Sequence, residues 1–373
     1  MKLNLTYITG IILILIVGCQ EYYEPKIDHK SGNLVVEAML TDRKDIFTVK
    51  LSRTIAHNQS LKYSWEKNAE VFVLSVNGES YNFEENSEGT YKSVDSIEAK
   101  TGEAYYLHII TNDGNEYMSE VEEMVEPCNI DKIQITDTTT VEVTYDAWQD
   151  THTTNVKGIN ISVMPSTPTQ PDVGFLYQWN SLINYEVIST DKMYMYYYYC
   201  WFKLKSSHYQ VYNYNNKESG YSLGSDKLDF YSYYGDLSPQ PIDSSRFIPD
   251  VKKIYTSSFY YLLRQYTITL AGASFWKSVK AQSEVTGKLF DPVEEQIPTN
   301  IYCITDTTKE AFGFFNTAAY TAKILLVRIV ADSLLFKKNI PDYYPYEIKE
   351  VNVFPVPEKA EDCLLNEVTE FWY

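Results

Sequence analysis

A period of two constrains this chain most. Short runs in which apolar and polar residues alternate are separated by turn residues. Phe47, Val49 and Leu51 alternate with polar neighbours, the signature of a strand with one buried face. Val71 to Val76 leads into Asn77-Gly78, which predicts a type I′ hairpin, and Tyr81 and Phe83 follow on the return strand. Tyr105 to Ile110, the turn Asn112-Asp113-Gly114 and Tyr117 to Val121 repeat the arrangement. Asp113 and Asn115 lack the full calcium-loop pattern, and hairpin chemistry accounts for both. Together with Leu34 to Leu40, these strands predict an immunoglobulin-like sandwich over residues 32–126.

Pro127 breaks the ladder, and a larger β domain is expected over residues 127–373. Ile130, Ile133 and Ile135 start its strand pattern. Asp137 to Thr140 reads as a polar turn before Val141, Val143 and Tyr145. Ile159, Ile161 and Val163 alternate again, Met164 to Val173 reads as a loop, and Tyr255 to Leu270 is strongly strand-prone. One helix is predicted near 270–285, with its cap near Thr269. Phe275, Val279 and Gln282 share a face with Trp276 beside it, a stripe that reads as core. Ile301 to Ile304, Ala311 to Phe315 and Lys323 to Val330 read as three further strands. The expected class is therefore all-β: a sandwich followed by a larger Tyr-rich β domain with one helix.

The N-terminus carries different information. Ile11 to Val17 is an apolar run, too short for a membrane-spanning helix, which needs roughly 20 apolar residues. With Lys2 before it and Gly18 at its end, it reads as an export signal over residues 1–18. Ile16-Val17-Gly18-Cys19 has the form of a lipobox, which predicts acylation of Cys19 and a lipid anchor. Residues 19–31 form a polar tether. Gln20-Glu21 and Glu24 resemble the acidic tag that sends lipoproteins to the outer face of the outer membrane. Four short Asp-Ser/Thr sites, at Asp95, Asp137, Asp306 and Asp332, resemble O-glycosylation sites of exported proteins and agree with that location.

The formal net charge of −18 argues against nucleic acid and anionic membrane surfaces as partners. There are 34 Tyr. Met193 to Phe202 reads MYMYYYYCWF, and Tyr residues continue to Tyr234 amid Asn, Ser and Gly. Consecutive residues of a strand line both faces, so one face can be core and the other a wet aromatic surface. The candidate binding residues are Tyr194, Tyr196, Tyr197, Tyr198, Tyr199, Trp201, Tyr212, Tyr214, Tyr233 and Tyr234. Sheet core with Tyr-rich loops is the competing account. With Cys19 lipidated, Cys128, Cys200, Cys303 and Cys363 remain, an even set that allows disulfides in three connectivities. Their long spacings give no zinc pattern, and no metal site or cofactor is expected.

One catalytic motif occurs. Gly220-Tyr221-Ser222-Leu223-Gly224 matches GxSxG, yet all five His precede Ser222, against the order Ser, acid, His. No HExxH, P-loop or GxGxxG is present, and no carboxylate pair stands out by spacing. The expectation is a protein that is not an enzyme.

Several local features agree with one family. They are the lipobox, Asn33-Leu34-Val35-Val36-Glu37, Cys200-Trp201, Tyr260 to Thr269, Phe275-Trp276 and Gly287 to Pro292. Pro298-Thr299-Asn300-Ile301, Gly313-Phe314-Phe315, Asp362-Cys363 and Phe371-Trp372 complete the set. The sequence resembles the Bacteroidota outer-membrane lipoproteins grouped as domain-of-unknown-function family 4249, most specifically over residues 260–330. Thr299, where a Gly is expected, and Cys303 depart from the pattern. The resemblance implies an accessory lipoprotein of a TonB-dependent outer-membrane transporter, one that captures a nutrient or covers the transporter's mouth. It brings no catalytic residues. A free-standing adhesin or structural surface protein that binds glycan or peptide is the alternative.

Overall fold

A computed structural model describes residues 32–55, 64–145, 151–190, 195–205, 209–213, 221–222, 231–232, 251–283, 297–329, 346–350 and 364–365. The first strands follow the alternation closely. In β1 (Leu34–Thr41), Leu34, Val36, Ala38 and Leu40 are buried and the residues between them are not. There follow β2 (Thr48–Arg53), β3 (Ser64–Trp65), β4 (Glu70–Ser75), β5 (Ser80–Ser87), β6 (Thr90–Ser93), β7 (Ala104–Ile110), β8 (Glu116–Ser119) and β9 (Glu122–Glu123). Antiparallel pairing runs β1-β2-β6-β5-β4-β7-β8. β5 pairs with β4 through Ser80 to Phe83 and with β6 through Phe83 to Ser87, with a bulge near Glu85. A bulged strand bends and twists, which lets the sheet fold over on its own apolar face.

Part of the tyrosine excess lies in this core. Tyr91, Tyr105 and Tyr117 are fully buried. The Tyr91 hydroxyl donates to the Glu66 carbonyl at 2.8 Å, and that of Tyr105 donates to Glu103 Oε2 at 2.9 Å. The ring fills the interior and the tip finds an acceptor.

The Asn77-Gly78 hairpin is not the expected two-residue type I′ turn. The Gly78 N–H donates to the Ser75 carbonyl, the Ser75 N–H donates to the Glu79 carbonyl, and Gly78 has φ +95°. This is a three-residue loop closed by a left-handed glycine, a form as compatible with strand twist as type I′. The Gly114 hairpin repeats it, and Asp113 Oδ1 accepts the Thr111 hydroxyl within the turn.

The rest of the chain forms β10 (Ile130–Tyr145), β11 (Thr151–Pro165), β12 (Val173–Thr190), β13 (Met195–Lys205), β14 (Gln210–Asn213), β15 (Tyr221–Ser222), β16 (Tyr231–Ser232) and β17 (Val251–Thr269). After these come α1 (Leu270–Ser283), β18 (Ile301–Cys303), β19 (Ala311–Ile329), β20 (Tyr346–Glu350) and β21 (Leu364–Leu365). The described residues are all-β with one helix. That helix is not long and apolar enough to cross a membrane.

Two expectations fail in the same way. β10 runs straight through Asp137 to Thr140, because each of those residues has a partner on β11, from Ile159 to Val156. Thr is also a good strand former. Ala311 to Phe315 and Lys323 to Val330 are not separate strands but belong to β19, which changes partner on the way. Ala311 to Ala318 pair in parallel with β1, and Ala318 to Arg328 pair antiparallel with β17.

β18 pairs with β8, so the first core closes with residues from far along the chain. Ile301, Cys303, Ala311 and Phe315 pack with Leu34, Val49, Leu107 and Tyr117. A second core joins Ile161, Val163, Phe175, Trp179, Leu263 and Val327. A smaller third one sits under α1, built on Leu176, Ile268, Ala273 and Ala318. Cys128 and Cys303, offered by sequence for disulfides, are both buried free thiols. They lie in different cores, and the Cys128 thiol donates to the Ser166 carbonyl at 3.0 Å.

Candidate functional site

The outward face of β1 is not polar throughout. Val35 and Met39 stand on it with Glu37 between them, and α1 lies across the way. Between them runs a cleft of about 840 Å³, with β19 residues Phe312, Gly313 and Phe314 along it. Small-molecule sites span about 300–1,000 Å³ and are mostly apolar with few polar groups. The apolar wall includes Phe275, Trp276 and Val279 of α1. Phe275 stacks on Phe314 at 5.1 Å and meets Trp276 edge-on at 5.4 Å. Tyr209 lies 4.7 Å from Trp276. The Trp276 indole N–H is buried without a hydrogen-bond partner.

Among the described residues three charged side chains line the cleft: Glu37, Lys50 and Lys280. Glu37 on β1 and Lys50 on β2 are register partners. Lys280 reaches from α1 to donate to Gln210 Oε1 at 2.5 Å. Burial pushes the Tyr209 phenol up, and the nearby Glu37 carboxylate adds to the shift while Arg264 opposes it.

Two local devices hold the walls. Gly313 has φ +100°, and a Cβ there would lie 1.8 Å from the Val36 carbonyl oxygen. Only glycine lets β19 lie this close to β1. The other device is the start of α1. The Thr269 hydroxyl accepts the Gly272 N–H at 3.2 Å, an N-cap, and donates to Glu122 Oε2 at 2.9 Å. Asn300 Nδ2 reaches Glu122 Oε1 at 3.4 Å. The same Asn300 amide spans the β19 backbone, donating to the Phe315 carbonyl at 3.0 Å and accepting the Phe315 N–H at 2.9 Å. Glu122 is 5% exposed, and its carboxyl is pushed up to about 7, by burial first and by Glu120 second.

Gly32, the first described residue, sits beside this cleft. The Gly32 N–H donates to the carbonyl of Thr54, a cleft residue, at 2.8 Å. Arg53 Nη1 donates to the Gly32 carbonyl at 2.9 Å, while Arg53 Nε bonds Glu66 Oε2 at 2.5 Å.

Cys19, Tyr194, Tyr214, Tyr233, Tyr234 and Cys363 lie outside the described residues. Tyr196, Tyr197, Tyr198, Tyr199, Cys200 and Trp201 belong to β13, whose backbone pairs with β12 from Ser189 to Asn184. Tyr212 packs edge-on against Tyr177 at 5.9 Å, beside the second core. Tyr212 does not line the cleft. Ser222 of the GxSxG motif sits within β15, paired with Ser162 on β11. The sequence reading did not single out Glu37, Lys50, Lys280 or Gly313 as lining a cleft; it read Trp276 as core, and Trp276 does pack against the third core while also lining the cleft. The available signal was Phe275-Trp276 and Gly313-Phe314 within the block 260–330.

Among the described residues no group of three or more His, Cys, Asp or Glu is gathered to hold a metal. No curated protein matches the chain. The family model described as Domain of unknown function (DUF4249) matches residues 20–324, and the chain belongs to that family.

Proposed function

We propose that the chain is an exported lipoprotein, anchored through Cys19 to the outer face of a Bacteroidota outer membrane. There it acts as a non-enzymatic accessory of a TonB-dependent transporter and captures a small nutrient in the cleft beside α1. The observation that carries the capture role is the cleft itself: about 840 Å³, aromatic on one wall, with three charged groups along it. Its position agrees with the anchor. Cys19 and Gly32 are 13 residues apart (32 − 19). At roughly 3.5 Å per extended residue the tether reaches at most about 45 Å, which keeps the cleft near the membrane. Acyl chains on Cys19 supply the attachment, since each buried CH₂ contributes about 0.8 kcal/mol.

The test is a mild-detergent pull-down from native membranes with a tag at Tyr373, read by mass spectrometry. A TonB-dependent barrel in stoichiometric amount is the expected result. Recovery of the chain alone, under conditions that preserve known transporter complexes, overturns the accessory role and favours a free-standing adhesin.

A further inference from the structure

The chain as a whole is strongly acidic, with 50 Asp and Glu against 32 Lys and Arg. Among the described residues the cleft reverses that balance: two of the three charged side chains lining it are lysines. They stand on opposite walls, Lys50 on β2 and Lys280 on α1, and among the described residues Glu37 on β1 is the carboxylate that lines the cleft with them. Lys50 forms no ion pair among the described residues, and its side chain is exposed at the rim. Length is set by the two walls. From Val35 to Met39, β1 advances about 13 Å at roughly 3.3 Å per residue. From Phe275 to Ser283, α1 advances about 12 Å at 1.5 Å per residue. An apolar trough of that length, with ammonium groups on both walls, suits a ligand with an apolar body and an acidic group.

Resting on the reading of the cleft as a ligand site, we propose that it binds an amphipathic organic anion. The apolar body lies against Phe275, Trp276 and Val279, and the acidic group sits between Lys50 and Lys280. Charge-assisted hydrogen bonds to ammonium groups are about twice as strong as neutral ones. The anion is therefore preferred to an uncharged molecule of the same shape.

Two fluorescent probes test this directly, because they share one apolar body. 1-Anilinonaphthalene-8-sulfonate carries an anionic group, and N-phenyl-1-naphthylamine lacks it. The protein is the mature chain from residue 19 carrying Cys19→Ser, so that no acyl chain competes. The sulfonate should bind saturably at one site, about tenfold more tightly than its neutral twin, a gap of about 1.4 kcal/mol. Lys50→Gln should remove most of that preference and leave the neutral probe unchanged. Lys50→Glu, a surface change that leaves the apolar wall intact, should weaken the sulfonate further. Val279→Glu should abolish both probes with the unfolding midpoint unchanged. Equal affinity for the two probes overturns the proposal, as does sulfonate binding that survives Lys50→Glu. Either failure stands whatever the membrane pull-down recovers, so the ligand class and the transporter partnership fail separately.

Discussion

Among the polar groups buried in the interior, Gln265 and Glu122 are treated differently by the fold. Gln265 in β17 is fully buried and neutral. Its Nε2 donates to the Cys128 carbonyl at 2.5 Å, and its Oε1 accepts the Tyr177 hydroxyl at 2.9 Å. The Thr321 hydroxyl also donates to the Cys128 carbonyl, at 3.1 Å. Glu122 in β9 is almost as deeply buried, but it is ionisable. Its partners are the Thr269 hydroxyl and the Asn300 amide, with Glu120 as a like charge nearby. The first cluster ties β17 to the chain around Cys128 by neutral hydrogen bonds. The second ties β9 to the first turn of α1, the wall of the cleft, through a group whose charge depends on pH. A neutral network fixes a core under all conditions, whereas a buried carboxyl makes one junction responsive.

Substitutions can break that contrast. Gln265→Leu should have the largest effect, a loss of about 2–4 kcal/mol, because buried partners lose their hydrogen bonds. Urea unfolding at pH 5 and pH 8 should show the same loss at both; a loss that differs with pH would contradict a neutral role.

Glu122→Gln should act in the opposite direction. The folded carboxyl titrates at about 7 against an ordinary value of 4.5. Between those values the folded state keeps a proton that the unfolded state has released, so this group's contribution to stability falls as pH rises through the window. The variant should therefore gain about 2–3 kcal/mol at pH 8 and almost nothing at pH 4. Unfolding curves of both proteins from pH 4 to 8 check this, and parallel curves would remove Glu122 from the account.

Asn300→Ala should cost about 2 kcal/mol at pH 4 and somewhat more at pH 8, since it opens two hydrogen bonds to the β19 backbone at Phe315 and removes an amide donor that favours the Glu122 carboxylate. Amide exchange at Phe315 should rise first. Thr269→Val should cost least, about 1 kcal/mol, the usual loss for an N-cap. It also removes a donor that favours the Glu122 carboxylate, so the pH midpoint should move higher. A cost without that movement would make Thr269 a cap and nothing more.

Much of the first core was legible. Leu34, Val36, Phe47, Val49, Leu51, Val71 and Val73 are buried in the alternation that the sequence shows. Thr269 caps the helix at the expected place. The turn type at Asn77-Gly78 was not legible, because that pair serves both the two-residue and the three-residue loop. The run from Asp137 to Thr140 looked like a turn because it is polar. Polarity reports solvent exposure, and β10 remains a strand there because β11 pairs with it throughout. The cleft was the least legible feature. Trp276 sits beside an apolar helical stripe, and such a stripe reads the same whether core or ligand covers it.

Which residues face inward is a local property, carried by a period of two along each strand, and the sequence determined it. It also determined the all-β class, the helix that follows Thr269 and the family. Which strands meet was decided only in three dimensions. β1 pairs in parallel with β19, Leu34 opposite Ala311, across 277 positions of chain (311 − 34). β8 takes β18 as its last neighbour in the same way. These pairings close the first core, place Gly313 against Val36 and set α1 opposite β1. No local pattern encodes them, because backbone hydrogen-bonding groups are alike in every strand. The choice of partner follows from burying all the apolar faces at once.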